Sequence, residues 1–248
     1  MQVAVLGDVH SNLEALTVVL EDCDQRGVQR ILQVGDVVGY GPDPKPCIEI
    51  LRERDALICL GNHDAAVLGR ISLDLFNPFA RYAVEWTREQ LEEEDMAYLR
   101  ALPLFQVLFE EDLTLVHGSL HEPSEFDYVR SLSSARLSME AQQTRACFVG
   151  HTHQPCLFTL DGGLDFQYRP EFESEGRYRL EASEQALVNV GSVGQPRDED
   201  PRTGYLLYDT ENSDCHLIRL DYPIEIVQAK IREAHLPEVL ADRLTYGL

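Results

Sequence analysis

Five times an apolar run of this sequence ends in a glycine-flanked segment bearing residues that bind metals: Gly7-Asp8-Val9-His10, Gly35-Asp36, Gly61-Asn62-His63-Asp64, His117-Gly118 and Gly150-His151-Thr152-His153. Glycine at a strand end permits a tight turn and a close approach of backbone to a bound group. Taken singly, an Asp-x-His or a histidine after a strand is more often a turn residue or a satisfied core histidine than a ligand. The recurrence changes the weighing, because five of the eight histidines fall inside these segments. The carboxyl ends of strands in an α/β sheet converge on one crevice, so five such ends could surround a single metal site. His121, His216 and His235 read as structural or surface residues, with His121 a distant candidate through its nearness to His117.

The elements that must position these residues are legible as hydrophobic rhythm. Runs at 2–6, 30–34 and 56–60 alternate with amphipathic stretches at 12–24 and 46–54, which predicts β-α-β units. Residues 78–102 carry Phe79, Tyr82, Trp86, Leu91, Tyr98 and Leu99 at helical spacing, so one or two helices are expected there with the aromatics in the core. Further strands are expected at 105–109, 113–116, 146–149, 156–160, 177–180, 186–190, 205–208 and 215–220, making the last third mostly β. The polar, acidic stretch 161–176 suits a long exposed hairpin or loop without evident chemistry.

At 248 residues, 44% hydrophobic and 26% charged, the chain can bury a sizeable core, and no linker or repeat divides it, so residues 1–248 are expected to form one domain. No run approaches the roughly twenty apolar residues of a membrane span. The start lacks the basic head and long apolar stretch of a secretory signal, and six scattered cysteines show no Cys-x-x-Cys pair. Reduced thiols in the cytoplasm are the expectation. A formal net charge of −22 repels polyanions, so long nucleic acids are not expected as partners. The acidic residues 92–95 read as a solvated helix face.

The ordered blocks Asp-x-His, Gly-Asp, Gly-Asn-His-Asp, His and Gly-His-x-His resemble the signature of the calcineurin-like metallophosphoesterase superfamily, and all five are present in order over residues 3–153. The later Asn189-Val190-Gly191-Ser192-Val193-Gly194 is similar to the Asn-Pro-Gly-Ser segment of its small bacterial phosphodiesterase and diadenosine tetraphosphatase-like branch, with Val190 in place of the proline. The resemblance implies a four-layer α-β-β-α sandwich of two mixed sheets (the metallo-dependent phosphatase fold). It implies that Asp8, His10 and His153 hold one metal, that Asn62, His117 and His151 hold a second, and that Asp36 bridges them. His63 would then be catalytic.

Four imidazoles, an amide oxygen and two carboxylates, without a thiolate, favour Mn²⁺, Fe, Co²⁺, Ni²⁺ or Zn²⁺ over Mg²⁺ or Ca²⁺. Two divalent ions against Asp8 and Asp36 leave the site cationic, so an acidic protein can still attract phosphate there. Ions about 3.5–4 Å apart would lower the pKa of a bridging water and stabilise charge at phosphorus. The expected reaction is therefore hydrolysis of a small phosphodiester or nucleotide-type ester, such as a dinucleoside polyphosphate, by a metal-bridging hydroxide. His63 would protonate the leaving oxygen or stabilise charge. Asp64 either orients the His63 ring or caps a helix. Arg197 either reaches a phosphate with its planar fork or forms a surface salt bridge, and Tyr40 either lines the pocket or belongs to a rigid Gly39-Tyr40-Gly41-Pro42 turn.

Rival functions are weaker. Protein phosphatases of the superfamily continue the second block as Gly-Asp-x-Val-Asp-Arg-Gly, whereas here Gly35-Asp36 runs on into Val37-Val38-Gly39-Tyr40 without the arginine. A non-catalytic scaffold like the retromer subunit of the same fold would have no use for His63, and a nuclease of long DNA would require a basic strip.

Overall fold

Strands covered on both faces read as unbroken apolar runs rather than as alternating ones. The computed structural model describes residues 1–162, 165–169, 176–182 and 184–248. In it β1 (Gln2–Leu6), β2 (Arg30–Gln33) and β3 (Leu57–Ile58) are parallel neighbours, and β11 (Thr203–Asp209), β12 (Asp214–Leu220) and β9 (Arg177–Arg179) continue the sheet antiparallel, in the order β3-β2-β1-β11-β12-β9. A second sheet has β5 (Leu113–Val116), β6 (Ala146–Val149) and β10 (Glu184–Asn189) parallel at its centre. They are flanked by β4 (Phe105–Leu108) on one side and by β7 (Cys156–Asp161) and β8 (Asp165–Tyr168) on the other.

The two-residue period of a strand sorts side chains between layers. Val3 and Val5 of β1 face the other sheet, where they meet Leu115, Phe148 and Val188 in a dry core. Ala4 and Leu6 face outward and pack on α1 (Leu13–Arg26) and α2 (Pro44–Glu53) through Leu16, Val19, Leu20, Ile48 and Leu51. On the opposite outer surface Cys147, Val149 and Leu187 meet Ala135 and Met139 of α6 (Leu132–Glu140). Helix, sheet, sheet and helix therefore form four layers, as the resemblance implies. Full burial of a side chain such as Phe148 contributes about 1.5–3 kcal/mol. Asn12 caps α1 by accepting from Ala15 N at 3.1 Å, and Gly27 ends it in the left-handed conformation (φ 69°).

Several expectations need correction. Residues 78–102 form α4 (Pro78–Gln90) and α5 (Glu93–Ala101), but α4 packs through Ala80, Ala83 and Val84 while Phe79 and Tyr82 stay 49% and 47% exposed. Small residues let that helix approach closely and leave the rings splayed outside. The acidic residues Glu93, Glu94 and Asp95 sit in the first turn of α5, where the helix dipole favours them. The last third is β only to Leu220. Beyond it α7 (Ile224–Glu233) buries Val227 and Ile231 at i, i+4 spacing, followed by α8 (Glu238–Asp242) and a 3₁₀ turn at Arg243–Tyr246. α6 was not foreseen either. Within 161–176, β7 and β8 pair as a hairpin, while residues 163–164 and 170–175 lie outside the described residues. No helix among the described residues is long and apolar enough to cross a membrane.

Candidate metal centre

Each ligand block sits where a parallel strand ends. Asp8 and His10 follow β1, Asp36 follows β2, His117 follows β5, and His151 and His153 follow β6, while Asn62 and His63 open α3 (Asn62–Val67) after β3. Asp8, Asp36 and His117 are 0% exposed, and His10, His151 and His153 are buried with them. Asp8, His10, Asp36, His151 and His153 all have φ between 48° and 68°, as do Ser11 and Tyr40. Left-handed backbone costs a non-glycine residue about 1 kcal/mol or more and concentrates at functional sites. The loops are locked together by main-chain bonds, with Asp8 N to Gly35 O at 3.2 Å, His10 N to Asp36 O at 3.0 Å and Gly150 N to His117 O at 2.9 Å. Gly61 is required by contact: a Cβ there would lie 2.1 Å from Asp36 Oδ1.

The ligand atoms gather into groups whose members lie within 4.8 Å of one another: Asp8, His10 and His153; Asp36, His117 and His151; and, between them, His10, Asp36 and His63. His10 Nδ1 donates to Val38 O at 3.1 Å and His153 Nδ1 to Gln195 O at 2.6 Å, since a carbonyl oxygen only accepts. In the neutral rings both Nε2 atoms then carry lone pairs, and these face each other at 3.1 Å. On the other side His117 Nε2 lies 2.9 Å from Asn62 Oδ1, 3.1 Å from His151 Nδ1 and 3.3 Å from Asp36 Oδ2. Asp36 Oδ2 is buried without a properly oriented hydrogen bond, although His10 Nε2 is also 3.6 Å away. Buried imidazole nitrogens and carboxylate oxygens converging this closely are what a cation satisfies once it displaces the protons among them, so these residues fit a metal.

Protonation in the metal-free site follows from burial and charge. Burial pushes His10, His151 and His153 well below the usual imidazole range, leaving them neutral, as a ligand must be. Burial also acts to lower His117, but the Asp36 carboxylate outweighs it and holds the ring up at about 9. In return Asp36 stays below the usual carboxylate range: burial would raise it, and the charges of His117, His63 and His10 with the close His117 contact together prevail. Asp8 is raised to about 7 by burial, with the Asp36 charge adding to it and His117 opposing.

His63 is buried beside this cluster, its ring centroid 4.8 Å from His10, 4.5 Å from Tyr40 and 5.0 Å from Phe76. Its Nδ1 has no hydrogen-bond partner, and burial lowers the ring to about 4. Asp64 does not touch that ring. Its carboxylate accepts from Asp36 N (2.9 Å), Gly61 N (3.0 Å) and Val38 N (3.1 Å), capping α3 and pinning the loop that carries Asp36, with burial raising its own pKa to about 6. Tyr40 is both turn and wall, with its ring 4.8 Å from His10. Among the described residues Arg197 forms no salt bridge. It lies 5.6 Å over the Tyr40 ring and donates to Gln195 Oε1. His121 is exposed and takes no part.

Sequence reasoning singled out the 189–194 segment without a role for its side chains and missed Tyr128, because these groups act through backbone or through unpatterned contacts. Ser192 Oγ donates to Asp8 O at 2.9 Å and Asn189 Nδ2 to Gly150 O at 2.6 Å, so the 189–194 segment ties the first ligand loop to the last. Tyr128 stacks on His151 at 3.8 Å.

Residues 1–213 match the calcineurin-like phosphoesterase superfamily domain. The chain belongs to that superfamily. A metallophosphoesterase from Sphaerobacter thermophilus is 38% identical, with a TM-score of 0.84 over 100% of this chain and 99% of its own. An uncharacterized protein of Methanocaldococcus jannaschii is 35% identical over 99% of this chain and 98% of its own length. A hypothetical protein from Pyrococcus horikoshii, 21% identical with a TM-score of 0.78 over 100% of this chain and 98% of its own, shares the fold. A putative diadenosine tetraphosphatase, 16% identical with a TM-score of 0.53 over 88% of this chain and 93% of its own, shares it more loosely.

Proposed function

We propose that the protein is a phosphoesterase that hydrolyses a small phosphodiester or nucleotide-type ester with two divalent ions. One would be held by Asp8, His10 and His153, the other by Asn62, His117 and His151, and Asp36 would serve both. The observation that carries this reading is the pair of buried imidazole clusters meeting at Asp36 Oδ2. Bound there, divalent ions supply positive charge to phosphoryl oxygens and acidify a coordinated water. Mn²⁺, Fe, Co²⁺, Ni²⁺ and Zn²⁺ all suit the imidazole and carboxylate set.

The chain's own groups divide the remaining work. His63, neutral at pH 7 because its folded pKa is about 4, donates a hydrogen bond to the phosphoryl or leaving oxygen. Arg197, whose charge acts on Asp8, His10, His63, His151 and His153, offers a planar fork to phosphate, and Tyr40 bounds the pocket beside it. A reducing, cytoplasmic setting belongs to the same reading and is favoured by six thiols without a disulfide among them.

The test is hydrolysis of an aryl phosphodiester, an aryl monoester and a dinucleoside tetraphosphate by metal-stripped protein resupplied with Mn²⁺, beside Asp36→Asn. Metal-dependent turnover that the variant loses is expected. Stoichiometric metal uptake without turnover of any ester would replace the enzyme reading by a metal-bearing binding module.

A further inference from the structure

Between Phe126 and α6 the chain runs Asp127-Tyr128-Val129-Arg130-Ser131 and crosses the last ligand block. The Tyr128 ring lies on the His151 imidazole with centroids 3.8 Å apart and planes 9° from parallel. The Arg130 guanidinium carbon lies 3.9 Å from the centroid of the same ring. Two groups stacked that closely cannot share one face, so imidazole, phenol and guanidinium form three layers. The outer layer, two ring spacings from a candidate metal ligand, borders a cavity of about 470 Å³. Thr152, which separates His151 from His153 in sequence, lines the same cavity.

Leu132 of α6 and Tyr168 of β8 offer this cavity apolar surface that is 48% and 40% exposed, and Pro155 and Phe158 complete the wall, with the Phe158 ring 5.4 Å from that of Tyr168. The polar side chains of the lining are committed to the protein itself. The Thr152 hydroxyl donates to Gln154 O at 3.2 Å and accepts from Asn189 Nδ2 at 2.9 Å, Gln154 Nε2 donates to Arg197 O at 2.7 Å, and Ser131 Oγ accepts from Ser134 N at 3.2 Å. Arg130 remains. Its guanidinium is held flat by the Tyr128 ring and, among the described residues, by no carboxylate, although the chain carries 43 acidic residues against 21 basic ones. A cavity of this size with apolar walls and one planar cation at its edge suits a flat aromatic ring, which gains from burial, from stacking and from the N–H donors in the guanidinium plane.

We infer that this cavity receives the base of a nucleoside phosphate ester whose phosphate sits at the metal centre, so that Arg130, Leu132 and Tyr168 select the group esterified to phosphorus. The inference deepens the phosphoesterase reading and rests on it for the place of the phosphate. Tyr128, 44% exposed, is the partition between the two, and a ribose crossing its open rim would join them. A further phosphate would meet apolar walls and a single exposed guanidinium, whereas a base finds rings to stack on and donors for its edge.

Calorimetry on Mn²⁺-loaded protein at clamped free Mn²⁺ tests it, with the non-hydrolysable phosphonate analogues of AMP and of ribose 5-phosphate as probes. The parent is expected to bind the adenosine analogue at least about tenfold more tightly, the scale of one stacked base. Leu132→Asp sets a carboxylate in the apolar wall and should bring the two affinities to within about twofold. Leu132 is the first residue of α6, where the helix dipole favours an acid, so this variant is expected to fold. Arg130→Gln, at an exposed position, should lose about two- to fivefold of the preference and carries the test should the aspartate variant fold poorly. Equal affinities in the parent, or a preference undiminished in folded Leu132→Asp or, failing that protein, in Arg130→Gln, would overturn the base site. Failure of the two readings is separable. A base preference that the variants lose, in a parent that hydrolyses no ester, removes the enzyme reading alone, whereas ester hydrolysis without a base preference removes the subsite alone.

Discussion

Metal uptake by the stripped protein should release protons, in a number that falls as pH rises. In the metal-free site one proton resides on Asp8, raised to about 7 by burial and then by the Asp36 charge. Another resides on His117, held at about 9 by the Asp36 charge against burial. Both groups must deprotonate before they can bind a cation, whereas burial has already made His10, His151 and His153 neutral. Groups held protonated in the metal-free state compete with the ion, and that competition weakens as pH increases. At pH 6 uptake should therefore release about two protons, and at pH 8, above the Asp8 value and below that of His117, about one. Integrated between those limits, the apparent affinity rises about a thousandfold, or about 4 kcal/mol. Titration calorimetry with Mn²⁺ at pH 6, 7 and 8, in two buffers of different ionisation enthalpy, counts the protons directly. Asp36→Asn, which removes the charge that holds His117 up, should bring the release at pH 8 close to zero. Uptake at pH 6 without proton release, or a release that stays constant to pH 8, would refute the assignment of these protons to Asp8 and His117.

Three further outcomes are expected. His63→Gln should keep full metal stoichiometry and lose about 10²–10⁴ in kcat, more with a nucleoside leaving group than with p-nitrophenolate; parental rates on both substrates would remove its role. Gly61→Ala should abolish metal uptake because its Cβ would collide with Asp36 Oδ1, whereas Gly27→Ala, whose Cβ meets nothing, should cost only left-handed strain of about 1–2 kcal/mol in urea unfolding. Asp64→Asn replaces an oxygen that accepts backbone N–H groups by a donor facing them, for an expected loss of about 2–4 kcal/mol measured on metal-free protein, and unchanged stability would mean that the amide network around Asp36 is not held by Asp64.

The ligand blocks were legible along the chain because each is local: an apolar strand, a glycine, then a ligand within three residues. The strands were legible for the same reason, since burial on both faces imposes a continuous apolar run that needs no partner to be recognised. The helices were less so. Phe79 and Tyr82 carry the spacing of a core face yet lie half outside, because Ala80 and Ala83 take the contact that periodicity credits to the larger rings. The helices beyond Leu220 have no counterpart in the sequence reading, because the Val227 and Ile231 stripe is short and follows two long strands.

Residue types and their order along the chain were enough to indicate the family and to nominate the candidate ligands, since coordination chemistry depends on which atoms are present. Partnership was decided only by folding. The Nε2 atoms of His10 and His153 meet across 143 residues, Asp64 serves the Asp36 loop rather than the neighbouring ring, and Gly247 takes a hydrogen bond from Glu199 of the Arg197 loop. Such encounters depend on loop closure and on left-handed backbone at Asp8, His10, Asp36, His151 and His153, which the surrounding packing imposes on residues that would not adopt it alone.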